Sequence, residues 1–97
     1  MDNSVAAKMM ESLGNETRLH LFRELVVAGN TGLPVGELQS RLALPGSTLS
    51  HHVQHLLQRD LITQTREGRV LRCKANFPAM TALLAFLTES CCRDDCC

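Results

Sequence analysis

Apolar residues recur every three or four positions along most of this chain, and at every second position in only one stretch. The first helical period runs from Ser4 to Leu13 through Val5 and Met9, with Ser4 placed to cap it and Gly14 to end it. Asn15 then caps a second helix, whose Leu19, Leu21, Phe22, Leu25 and Val26 form a wide apolar stripe that stops at the breaker cluster "AGNTG". "LPVGELQSRLAL" reads as a short third helix, with Pro34 near its first turn and Leu38 and Leu42 on one face. After the turn "PGS", "STLSHHVQHLLQRD" forms a fourth helix with Leu49, Val53, Leu56 and Leu57 inward.

The period then shortens to two. "LITQTREGRVLRCKANF" alternates on either side of Glu67-Gly68, where glycine tolerates a positive φ, and predicts a two-stranded hairpin. A final helix, "PAMTALLAFLTES", starts with Pro78 in its first turn. Two helices joined by a tight turn and followed at once by a basic hairpin make a winged helix-turn-helix. The expected fold class is therefore mainly α with a small β-hairpin, with residues 1–90 as one domain and 91–97 as a cysteine-rich tail. The last helix is apolar nearly all round, and a domain of 97 residues cannot cover both its faces. A homodimer is the expected cover, with Met9, Leu13, Met80, Leu83, Leu84 and Leu87 at its interface.

Ten basic and ten acidic residues leave no net charge, but the distribution is uneven. Arg59, Arg66, Arg69, Arg72 and Lys74 face only Asp60 and Glu67 in the hairpin region, a basic strip on a neutral protein. With the fourth helix's leucines inward, its other side presents Ser47, Thr48, His51, Gln54, His55 and Gln58, with Ser50 beside them. Hydroxyls, amides and imidazoles can hydrogen-bond base edges or phosphates, and no carboxylate repels the backbone. His51 and His55 have the spacing of paired metal ligands, but no Asp, Glu or Cys joins them on that face; taken alone they read as solvated histidines, and only the winged-helix context makes them DNA contacts. No apolar run is long enough to span a bilayer and the N-terminus has no signal-peptide pattern, so a cytoplasmic protein with no membrane partner is expected. No nucleophile–base pair, phosphate loop or paired carboxylate suggests an enzyme, and no organic cofactor is implied.

"NETRLHLFREL", "GELQSRLAL", "STLSHHVQHLLQRDLI" and "REGRVLRCKANF", in this order, resemble the arsenic-repressor (ArsR/SmtB) family of bacterial metal-sensing repressors. The resemblance covers roughly residues 5 to 90. It implies a homodimeric winged helix with the first and last helices at the dimer interface, and with DNA contacts from the fourth helix and from the wing arginines Arg66, Arg69 and Arg72. The expected partner is double-stranded operator DNA bearing an inverted repeat. Two departures matter. Pro34 and Gly36 stand where the family's founding arsenic site has its two third-helix cysteines, and no histidine follows His55 to build a zinc site on the last helix.

What remains for an inducer is the terminal "CCRDDCC", which holds four of the five cysteines. Clustered thiols in a reducing compartment are more often metal-binding or redox-active than structural. Trivalent arsenic takes three thiolates in a pyramid, and soft ions prefer sulfur. Cys91 and Cys92 can converge at a helix end, and the "RDD" spacer can return Cys96 or Cys97 as the third ligand. The arrangement is similar to that of family members with C-terminal arsenic-binding cysteines. It would also accept antimonite and, less selectively, cadmium or lead, while thiol oxidants or persulfide remain the alternative signal. A thiol-redox protein fits less well, because no Cys-x-x-Cys sits at a helix N-terminus. Cys73, alone on the second wing strand, reads as a core residue.

Overall fold

The computed structural model describes residues 1–95; Cys96 and Cys97, the alternatives for a third thiolate, lie outside the described residues. Helix α1 spans Asn3–Leu13, and its cap is Asp2 rather than Ser4: the Asp2 carboxylate accepts the Val5 N–H at 2.9 Å. Helix α2 spans Glu16–Ala28 and is capped as expected, by Asn15 accepting the Arg18 N–H at 3.0 Å.

The sequence placed Leu33 and Pro34 in the third helix, and the structure makes them a strand instead. This β1, Leu33–Pro34, pairs antiparallel with Cys73 and Arg72. Proline has no N–H to give a ladder, so it suits the edge of a sheet, and its extended backbone (φ −62°, ψ 146°) leads directly into the next helix. Helix α3 covers Val35–Leu42 and stops at Ala43, whose φ of 53° is left-handed. Helix α4 runs Gly46–Gln58, so residues 43–45 are the turn of the helix-turn-helix.

The wing consists of β2, Ile62–Glu67, and β3, Val70–Ala75, closed by a turn with Gly68 at φ 63°. The sheet has three strands in the order β1-β3-β2, one more than the alternation announced. Helix α5, Phe77–Leu87, is capped by Asn76, whose side chain accepts the Ala79 N–H at 3.2 Å.

Leu21 and Leu25 of α2, Leu38 of α3, Leu49 and Leu56 of α4, Leu61 just before β2, and Ile62 and Cys73 of the sheet form the fully buried centre. Burying each leucine contributes about 1.5–3 kcal/mol, and together these residues fix the angle at which α4 leaves the domain. Gly32 holds the sheet to the turn before it. It adopts φ +67°, and a Cβ there would run into the Cys73 carbonyl and the Lys74 stem. Gly32→Ala is therefore expected to cost about 1–3 kcal/mol from backbone strain alone, read as a lowered thermal midpoint.

Helix α5 is the least covered element. Of its residues only Leu83 is buried, while Leu84 and Leu87 are 57% and 52% exposed. The interface expected from sequence thus divides. Met9 and Leu83 belong to the protomer's own core, Leu13 and Met80 are half-buried against it, and Leu84 and Leu87 stand free. Val5 and Met10 of α1 add to the exposed apolar surface. The start of α1 lies beside α5, where Met1 borders a cleft with Ala82, Ala85, Phe86 and Glu89. The radius of gyration is 15.1 Å, against about 12.5 Å for a compact chain of this length. The elongated shape agrees with a terminal helix that one copy does not enclose.

Candidate nucleic-acid interface

Helix α4 presents one polar face because its apolar residues recur at Leu49, Val53 and Leu56, all buried. Ser47, Thr48, Ser50, His51 and Gln54 are all exposed on the remaining surface. Ser50 and Gln54 line a cleft whose other wall is Gln64 and Leu71 of the wing, so α4 and the hairpin form one continuous surface. A strand-flanked helix of this kind can enter a major groove while the hairpin follows the adjacent backbone.

The three wing arginines are not equivalent. Arg66 and Arg69 lie at the exposed tip, and no ion pair or hydrogen bond among the described residues engages their side chains. Arg72 is tied inward: its Nε donates to Glu67 at 2.9 Å and its Nη1 to the Thr31 carbonyl at 3.1 Å. It braces the hairpin against the turn before β1. The sequence grouped it with the other two because charge alone does not reveal a partner 41 residues away.

The histidines also separate. His51 is exposed, its ring meeting that of His52 edge-on at 5.8 Å. His55, expected on the outer face, is half-buried against α1, where its Nδ1 lies 2.8 Å from the Ser12 hydroxyl. His52 has a buried Nδ1 with no hydrogen-bond partner. Burial lowers the pKa of both His52 and His55, and the nearby Arg18 guanidinium lowers each further.

A histidine whose folded value lies below its ordinary 6.5 binds its proton more tightly in the unfolded chain. Its contribution to stability is complete above that ordinary value and is lost as pH falls through it. The thermal midpoint is expected to fall between about pH 7.5 and pH 5.5, above the carboxylate range, and to fall less in His52→Asn.

At the other end of the molecule, α5 stops at Leu87 and the chain folds into successive turns. The Cys91 N–H donates to the Thr88 carbonyl at 3.0 Å, and the Arg93 N–H to that of Ser90 at 3.1 Å. Ser90 and Cys92 take left-handed φ values of 58° and 61°. These turns bring the Cys91 and Cys92 sulfurs to 3.3 Å. Cys91 is a free, exposed thiol. Cys73 is also free but fully buried, with a pKa raised by burial against the pull of the Gln64 amide, as expected of a core residue. No group of three potential metal ligands forms among the described residues. Cys91 and Cys92 suit two positions of a thiolate site, and the third expected ligand lies outside those residues.

The helix-turn-helix geometry agrees with a family model described as "Helix-turn-helix domain", which matches residues 13–65, more than half of the chain. The chain belongs to that family. A curated relative, the transcriptional activator HlyU of Vibrio cholerae, is 27% identical over 92 residues, covering 95% of this chain and 82% of its own. The solved structure of reduced HlyU is 30% identical, covers 89% of this chain and 90% of its own, and superposes with a TM-score of 0.69. An ArsR-like transcriptional regulator from Rhodococcus sp. RHA1 has a TM-score of 0.78 at 22% identity, over 89% and 78% of the two chains. A homodimeric winged helix-turn-helix DNA-binding domain from Mycobacterium bovis has a TM-score of 0.70 at 20% identity, over 90% and 81%.

The chain is accordingly a helix-turn-helix protein with the winged fold read from its sequence. The family match spans α2, α3, α4 and the start of the wing. It stops before β3, α5 and the cysteine tail. It therefore covers the helix-turn-helix and not the cysteine tail.

Proposed function

We propose that this protein represses transcription by binding operator DNA as a homodimer, and that it releases the operator when As(III) is captured by its C-terminal thiolates. The observation that carries the DNA half is the continuous polar face of α4 and the wing, with Arg66 and Arg69 unengaged at its edge. Ser47, Thr48, Ser50, His51 and Gln54 would meet base edges and phosphates, and the two arginines phosphates alone. Two copies related by a two-fold through α5 would place their α4 helices in successive major grooves, about 34–36 Å apart on an inverted repeat. Repression is specific to this proposal: HlyU is named an activator, and whether a bound dimer activates or represses depends on where its operator lies.

The signal half rests on the Cys91–Cys92 approach of 3.3 Å immediately after α5. Adjacent residues in a regular helix diverge by about 100°, whereas here the turns have already converged two sulfurs. In the reduced chain they would supply two thiolates, with Cys96 or Cys97 the third. Antimonite would fit the same donors. One observation favours a second signal: Cys91 is a free, exposed thiol, so a thiol oxidant acting on the same tail is the rival inducer.

Binding of the reduced protein to duplexes from its own upstream region tests the DNA half. Affinity should fall steeply with salt, and Arg66→Ala or Arg69→Ala should reduce the log–log slope by about 0.9 for each phosphate no longer neutralised. Arg72→Ala should instead lower stability by loosening the wing. A reduced protein that binds none of these duplexes better than unrelated DNA overturns the proposal.

A further inference from the structure

We infer that His55 is a positioning residue, and that its hydrogen bond to Ser12 is the latch by which α1 sets the angle of the recognition helix α4. The inference rests on the reading of α4 as the DNA-contacting helix. Ser12 is the one buried polar residue among the described residues, completely enclosed near the end of α1. Its hydroxyl lies 2.8 Å from His55 Nδ1, in the last turn of α4. Its carbonyl accepts from Arg18 Nε at 2.7 Å, while Asn15 caps the backbone N–H of Arg18. One residue thus joins three helices: α1 through its own backbone, α2 through Arg18, and α4 through His55.

The charge of the ring is set by the surroundings. His55 faces Glu11 and Ser12 from α1, Arg18 from α2, and His51 and Arg59 along α4. Two guanidiniums against one carboxylate favour the neutral ring. Its tautomer decides whether Ser12 donates to Nδ1 or accepts from it, and either direction joins the two helices.

The physical effect is pre-organisation. A helix held on one flank only by leucines can rock by small changes of packing, while a buried hydrogen bond tolerates little displacement before it is lost. Without the latch, only part of the free population would hold α4 at the angle its groove requires, and apparent affinity falls by that fraction. The same link makes α1, beside α5 and the exposed apolar surface, a mechanical neighbour of the reading head.

The test is a double-mutant cycle on operator affinity, using Ser12→Ala, His55→Ala and the pair, each first verified as folded with wild-type oligomeric state by sedimentation. Each single substitution should weaken operator binding by about 3- to 10-fold, the range of one hydrogen bond, and the pair should be no weaker than the worse single. His55→Asn, whose side-chain amide can accept or donate near the position of Nδ1, should recover most of the loss. Base preference across operator variants should be the same for Ser12→Ala and His55→Ala.

Additive losses, or a changed base preference in His55→Ala alone, would return His55 to the role of a DNA contact. Wild-type affinity in a folded Ser12→Ala protein would remove the latch while leaving the proposed function intact. Failure of the wild type itself to bind operator would strike that function instead.

Discussion

A Leu84→Glu chain is expected to keep its fold and lose operator binding. Leu84 is 57% exposed, so a carboxylate there meets only water in the isolated protomer. In a two-fold interface the same position is buried twice, once on each copy, and each buried charge would lack a partner. The penalty falls on assembly. A half-site bound by one protomer loses the effective concentration supplied by the other, which amounts to about 10²- to 10⁴-fold in affinity. Leu83→Glu should behave differently, because Leu83 is only 5% exposed and packs inside its own protomer: it should unfold the chain rather than dissociate it. Sedimentation, circular dichroism and operator titration on both variants separate the cases. A Leu84→Glu protein that remains dimeric and binds normally would move the interface elsewhere.

The second large effect concerns the signal. Cys91→Ser/Cys92→Ser should retain operator binding and lose its response to arsenite, while Cys73→Ser should respond like the wild type. The wild-type response is expected within the usual range of allosteric coupling, about 5- to 150-fold in affinity. Capture of arsenic would tighten the turns from Thr88 onward and pull on the end of α5, where Leu84 and Leu87 lie on the exposed face. A shift there alters how two protomers meet and so the spacing of their α4 helices. Reciprocity then requires operator DNA to weaken arsenite binding by the same factor. A double serine variant that still releases DNA on arsenite would place the sensor away from the tail.

Much of the fold could be read from period and punctuation. The change from helical to alternating spacing at Leu61 and the glycine at position 68 located the wing, and Leu49, Val53 and Leu56 located the buried side of α4. What could not be read depended on contacts distant in sequence. β1 is two residues long and is a strand only because Cys73 and Arg72 lie across from it. His55 falls on the outer side of a helical wheel drawn from the leucines, but α1 packs along that flank and turns it inward. α5 is apolar on every side, so periodicity had no means of telling Leu83 from Leu84. The cysteine cluster was visible as composition, whereas its left-handed turns at Ser90 and Cys92 were not, since neither residue type announces a positive φ.

The most direct test of As(III) as the signal is the anisotropy of labelled upstream operator bound by the fully reduced protein, followed as arsenite is added and then, in a separate sample, a mild oxidant. The complex should dissociate on arsenite at near-stoichiometric addition and be restored by a competing dithiol. A complex that persists through arsenite while the oxidant releases it would contradict As(III) as the signal and leave the tail an oxidant sensor.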